Sequence, residues 1–232
     1  MGKIIVFEGL DGSGKETQHR LLKERLIKEG YKLFLLDFPQ YKSESSYFVR
    51  QYLAGKYNKL ACGVSAKQAS LCYAMDRFDI FKSNEEVKEA LKNPEVILLA
   101  NRYTTSNILF QAAKADLKEE IYELIDWICH LEYEILQIPK PDMVIMPFVE
   151  INKNIEILLQ RDIEKNAQKN KMKQDIHEKD YEYLRLVSEK SQLIAQKMKF
   201  FVINCMDEFN ELRTRENIHE EIYSLVKKRI LK

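Results

Sequence analysis

The chain has no paired cysteines, no excess of either charge and no long apolar run. Cys62, Cys72, Cys129 and Cys205 are its four cysteines, widely spaced and without a CxxC pair. A zinc site or a disulfide framework is therefore not expected, and the four read as free, mostly buried thiols. Lys and Arg number 37 and Asp and Glu 36, a net charge of +1, so general nucleic-acid or membrane binding has no support. No apolar run approaches the roughly 18 residues of a membrane-crossing helix. No signal-like segment precedes the first apolar run, Ile4–Phe7, and a cytoplasmic protein is expected. There is no internal repeat. The only biased tract runs from Glu164 to Gln174 and is rich in Lys, Asn and Gln.

What is present is a pattern of alternation. Five apolar runs read as strands: Lys3–Phe7, Lys32–Leu36, Val96–Ala100, Met143–Met146 and Phe200–Ile203. Long helical patterns separate them, which implies one α/β domain over 1–232 with a parallel sheet covered on both faces. A charged fraction of 31% suits long solvated helices. In such sheets ligands bind beyond the C-terminal strand ends, and this rule selects the residues that follow each strand.

The first of these stretches is Gly9-Leu10-Asp11-Gly12-Ser13-Gly14-Lys15-Glu16-Thr17. It follows an apolar strand and opens an amphipathic helix, the context that makes a P-loop believable. Glycines let backbone N–H groups close on phosphate oxygens, the helix N-terminus adds partial positive charge, and Lys15 adds a full one. Glu16 stands where a hydroxyl usually follows the lysine, and the hydroxyl comes at Thr17. After the third strand, Asn101-Arg102-Tyr103-Thr104-Thr105-Ser106-Asn107 sets an arginine beside a second helix start, a second candidate anion site. Two such sites at neighbouring strand ends fit two phosphorylated substrates facing each other.

The remaining helices are less specific. Ser65, with Gln68 three residues on, predicts a capped helix to Phe81, with Leu71, Ala74, Met75 and Phe78 as its buried stripe. Tyr73 and Arg77 share a face and suit a base-binding pair. Spacing alone favours the plainer reading, a core tyrosine and a surface arginine paired to Asp76 or Asp79. One helix is expected over Asp116–Gln137 and another over Ile151–Ile163. The tract from about 164 to 176 reads as a solvated loop or a lid. A helix then runs to about Met198, with His177 at its start in a surface or capping role, and a last one from Arg215.

The P-loop with its preceding Phe7-Glu8, then Phe38-Pro39, Tyr73-Ala74-Met75-Asp76-Arg77, and Asn101 to Asn107 with Gln111 occur in the order and spacing of a known group. From Lys3 to the last helix the chain resembles the thymidylate kinases, a family of P-loop nucleoside-monophosphate kinases. The resemblance implies a three-layer P-loop fold with a five-stranded parallel sheet and a short lid. It implies transfer of phosphate from ATP to dTMP with Mg²⁺ and, usually, a homodimer. Gly9, Asp11, Gly12, Ser13, Gly14, Lys15, Glu16 and Thr17 would hold ATP, with Thr17 at the metal. Asp11 would meet the deoxyribose 3′-hydroxyl. Tyr73 would stack on thymine, Arg77 bond its edge, Arg102 bind the acceptor phosphate, and Asn107 and Gln111 contact the base. Phe110 would lie near the sugar, with Phe38 and Ser106 in the same acceptor site. Lys15, Arg102 and a lid cation, for which Arg161 is the best candidate, would be catalytic.

Two departures stand out. The family's Asp-Arg-Tyr is Asn101-Arg102-Tyr103 here, and an amide does not supply the charge of that aspartate. Gly12 excludes a P-loop arginine, yet the tract Lys165 to Gln174 has none either. These departures keep two rivals open: a nucleotide-binding protein with little kinase activity, and a kinase for another nucleotide or deoxynucleoside.

Overall fold

Ile4, Ile5, Val6 and Phe7 are each at most 2% exposed. Such a run is stable only in mid-sheet, with side chains buried on both faces. The computed structural model describes residues 1–167 and 180–231, and in it β1 (Lys3–Phe7) is the central strand. β2 (Lys32–Asp37), β3 (Val96–Asn101), β4 (Met143–Phe148) and β5 (Phe201–Asn204) complete a five-stranded sheet in the order β2-β3-β1-β4-β5. All pairings are parallel. The edge strands expose apolar side chains, Leu35 on β2 and Val202 on β5, because a helix layer covers them less completely.

The predicted strands recur, β1 with the expected bounds and the other four with ends shifted by one or two residues. The helices are α1 (Lys15–Lys28), α2 (Tyr47–Leu53), α3 (Ala66–Ser83), α4 (Glu85–Lys92), α5 (Thr104–Ala112), α6 (Lys118–Cys129), α7 (Ile151–Ala167), α8 (Tyr181–Met198) and α9 (Arg215–Arg229). Local chemistry sets several of their starts. Ser65, Asn84, Asp180 and Thr214 each accept a bond from the backbone N–H three residues on, closing α3, α4, α8 and α9. α1 and α9 cover one face of the sheet with Leu22, Leu26, Ile222 and Val226. α3, α5, α6 and α8 cover the other, around Ile108, Ile125, Val187 and Ile194.

Several expectations are corrected. Leu71 and Met75 of α3 are 46% and 45% exposed, and only Ala74 of the expected stripe is fully buried. The buried side of α3 instead carries Ser70, Asp76 and Arg77. The helix expected over Asp116–Gln137 is α6 followed by a π-helical turn, His130–Ile135. α4 lies between two expected elements and was not foreseen. α7 runs past Ile163 to Ala167, so the first residues of the expected lid are helical. The rest of that lid, and His177, lie outside the described residues. Of the four free cysteines only Cys205 is buried.

Candidate active site

Gly12 and Gly14 have φ of 86° and 85°, left-handed values that disfavour any other residue. At Gly12 a Cβ would also come within 3.1 Å of Asn154 Nδ2 on α7. The loop thereby turns straight into α1, whose start has no side-chain cap. The N–H groups of its first turn point past the helix with no intrahelical acceptor, and Ser13 Oγ is buried without a partner. That is a cradle suited to phosphate oxygens. Thr17, in the same turn, adds a hydroxyl. These residues fit a nucleoside triphosphate with a divalent cation, since Mg²⁺ commonly takes few protein ligands beside phosphate oxygens.

Beyond the cradle lies a cleft of about 360 Å³, lined by residues from the C-terminal ends of β1, β2 and β3 and from α3 and α5. Lys15 is 3% exposed. Its Nζ lies 3.8 Å from Asp11 Oδ1 and donates to Asn101 Oδ1 at 3.3 Å. Burial and the nearby Arg102 lower its pKa, against Asp11 and Glu8. Arg102 has φ of 62°, a strained value for arginine that aims it across the cleft. It donates to Asp11 at 2.5 Å and to Ser106 Oγ at 3.3 Å, and its guanidinium lies 5.3 Å from the Phe110 ring centre. Burial opposes its charge, but Asp11 and Glu8 raise its pKa above the ordinary value. Burial likewise opposes ionisation of Asp11; Arg102 and Lys15 overcome this and hold the carboxyl below its usual range. Arg161 on α7 contributes to that lowering, so its charge reaches the same corner.

The other end of the cleft combines aromatic rings with buried amides. Tyr73 and Phe38 line it, the latter through a cis Phe38–Pro39 peptide and packed on Phe81 and Tyr103. Gln111 lines it too, fully buried, and neither atom of its amide has a partner. Asn107 donates to Ser70 O and Glu132 Oε1, but its Oδ1 has no partner. Arg77 is neither at the surface nor paired to Asp76 or Asp79. It is 2% exposed and bonded through Nε and Nη2 to Glu132 at 2.7 and 2.5 Å, which leaves Nη1 for the cleft it lines. Asp76 instead accepts from Gln40 N and Ser45 Oγ.

Most of the residues expected at the site thus meet in one place: Asp11, Lys15, Glu16, Phe38, Tyr73, Arg77, Arg102, Ser106, Asn107, Phe110 and Gln111 all line the cleft. Gly9, Gly12, Ser13, Gly14 and Thr17 belong to the loop and helix turn behind it. Sequence reading gave no role to two buried carboxylates that hold this arrangement. Glu8 accepts from Thr105, Ser106 and Gly9 N, and its position directly after an apolar strand was the available signal. Glu132 anchors both Arg77 and Asn107 from the π-helical turn, and no local pattern marks it.

The chain is similar to known proteins over most of its length. The model of the family described as Thymidylate kinase matches residues 7–216. A probable thymidylate kinase of Methanocaldococcus jannaschii is 29% identical, over 97% of this chain and 95% of that protein. The human thymidylate kinase is 31% identical over 62% of this chain and 59% of its own length. A solved thymidylate kinase from Candida albicans superposes with a TM-score of 0.65 at 17% identity, over 98% of this chain and 92% of that one, which shows the fold. Among the described residues no helix is long and apolar enough to cross a membrane.

Proposed function

The chain belongs to the thymidylate kinase family, and we propose that the cleft is where it transfers the γ-phosphoryl group of ATP to dTMP, releasing dTDP and ADP. The observation that carries this is the convergence of Lys15 and Arg102 on Asp11, one from the donor cradle and one from the acceptor side.

A phosphate oxygen of dTMP is already a competent nucleophile, so the protein needs no general base. Its work is positioning and charge stabilisation. The oxygen–phosphorus bond to ADP breaks as the bond to the acceptor oxygen forms. Gly9 to Thr17 hold the donor phosphates, and Lys15 follows the charge in transit. Arg102 exchanges its Asp11 contact for the acceptor phosphate. Arg161 is the third cation. Mg²⁺, held by the Thr17 hydroxyl with the donor phosphates, would neutralise part of their charge. Asp11 is placed for the 3′-hydroxyl, Phe110 for the sugar, and Tyr73, Arg77, Asn107 and Gln111 for thymine, with Phe38 and Ser106 supporting them.

A homodimer belongs to the same proposal. Leu71 and Met75, one turn apart on α3, and Tyr47 and Phe48 at the start of α2 are exposed and support it. The four unbonded cysteines support a cytoplasmic location.

The test supplies ATP, Mg²⁺ and dTMP and separates the products. dTDP and ADP are expected in equal amounts, and ATP consumption without dTDP contradicts the proposal. Gln111 gives a sharper check. Its buried, unpaired amide is expected to be satisfied by the base, so Gln111→Leu should raise KM for dTMP by about ten- to a hundredfold, the result of leaving base-edge groups unpaired. An unchanged KM would remove Gln111 from base recognition. Asn101 favours a second reading, binding without transfer, which the same product assay separates.

A further inference from the structure

β2 and β3 pair with Asp37 opposite Asn101. Asn101 Nδ2 donates to Asp37 Oδ1 at 2.9 Å, and Asn101 Oδ1 accepts from Lys15 Nζ at 3.3 Å. An ammonium only donates and a carboxylate only accepts, so this amide orientation alone satisfies both neighbours. Asp37 lines the cleft with Lys15, Glu16 and Arg102. Among the described residues it forms no direct ion pair, and its hydrogen-bonded link to Lys15 runs through the Asn101 amide.

Resting on the kinase reading, we propose that Asp37 is a positioning residue for phosphoryl transfer. Through the Asn101 amide it supplies the negative charge that faces Lys15. The carboxylate that the family pattern places on β3 is moved one strand outward, to β2.

An amide alone beside Lys15 is free to turn its NH₂ toward the ammonium. Asp37 fixes the opposite orientation. Asp37 is exposed at the rim of the cleft while Lys15 is buried, so its charge reaches Lys15 across a single side chain from the solvent side. Burial pushes the Asp37 carboxyl up, and the Asn101 bond, Lys15 and Arg102 pull it back. Asn101 and Asp37 thus form one unit with one charge.

The experiment compares wild type, D37N and D37N/N101D for melting temperature, affinity for metal-free ADP and rate of dTDP formation. D37N keeps an acceptor opposite Asn101 and removes only the charge. It is expected to bind ADP about fivefold tighter, having lost a negative charge near the phosphates, while kcat falls about tenfold and KM for dTMP stays within about twofold. The double variant sets a carboxylate directly beside Lys15 and should return both values toward wild type. D37N with unchanged ADP affinity and kcat overturns the proposal, and so does a double variant no nearer wild type than D37N. A shift in ADP affinity that the double variant reverses, with no dTDP from any of the three proteins, supports the role of Asp37 and overturns the kinase reading instead.

Discussion

Lys15→Met is expected to lower kcat for dTDP formation at least about a hundredfold, the loss that follows removal of one preorganised charge-stabilising group. Lys15 is the first residue of α1, buried, and held between Asp11 and Asn101. No other described cation shares its position at the join of loop and helix. Arg102 is engaged instead with Asp11 and Ser106. As the phosphoryl group moves, its oxygens need positive charge already in place, because reorganising solvent in a closed cleft is slow and unfavourable. Methionine keeps the length and apolar stem of lysine, so the melting temperature should change little. KM for ATP should rise less than kcat falls, since the backbone N–H groups of the cradle remain. A coupled assay of ADP release reads both parameters. A turnover within threefold of wild type would take Lys15 out of the mechanism.

The second large effect is on stability. Glu132→Gln is expected to lower the unfolding free energy by about 3–5 kcal/mol, the loss seen when one partner of a buried ion pair is removed. Arg77 and Glu132 are 2% and 0% exposed and share two bonds. Burial works against the charge of Arg77, and Glu132 more than restores it, raising the arginine's pKa. Glutamine cannot offset the guanidinium charge, and in either orientation its NH₂ faces an N–H donor of Arg77, in one of them that of Asn107 as well. Urea unfolding with an unchanged slope reads the loss directly. A loss below about 1 kcal/mol would mean that Arg77 is satisfied from elsewhere. Replacing both residues by leucine should recover much of the stability, because a well-packed apolar pair needs no desolvation of charge.

The donor half of the site was legible because its physics is local. A strand, three glycines, a lysine and a helix follow one another within fifteen residues, and the fold keeps them together. The strand ends were legible for a similar reason: buried parallel strands read as unbroken apolar runs. α3 misled because it helps build the cleft. Its inner side carries Ser70, Asp76 and Arg77, so polar residues are buried while Leu71 and Met75 face outward, and an apolar-stripe argument selects the wrong side. Glu132 was invisible because its partner lies 55 residues away and a π-helical turn carries it inward, a feature that often marks functional sites. Asp37 is the last residue of β2 and belongs to no sequence motif. Its role depends on strand register, which no single stretch of sequence contains.

The central claim is that the donor cradle and Gln111 serve one reaction with one acceptor. The most direct measurement presents ATP and Mg²⁺ with dTMP, dCMP, dAMP or dGMP in turn and reads initial rates of ADP release with product identity. dTMP is expected to be phosphorylated with a kcat/KM at least about a hundredfold above the others, since a site built to hydrogen-bond one base leaves its buried groups unpaired with the rest. Comparable rates on all four acceptors, or no dTDP from dTMP, would contradict it.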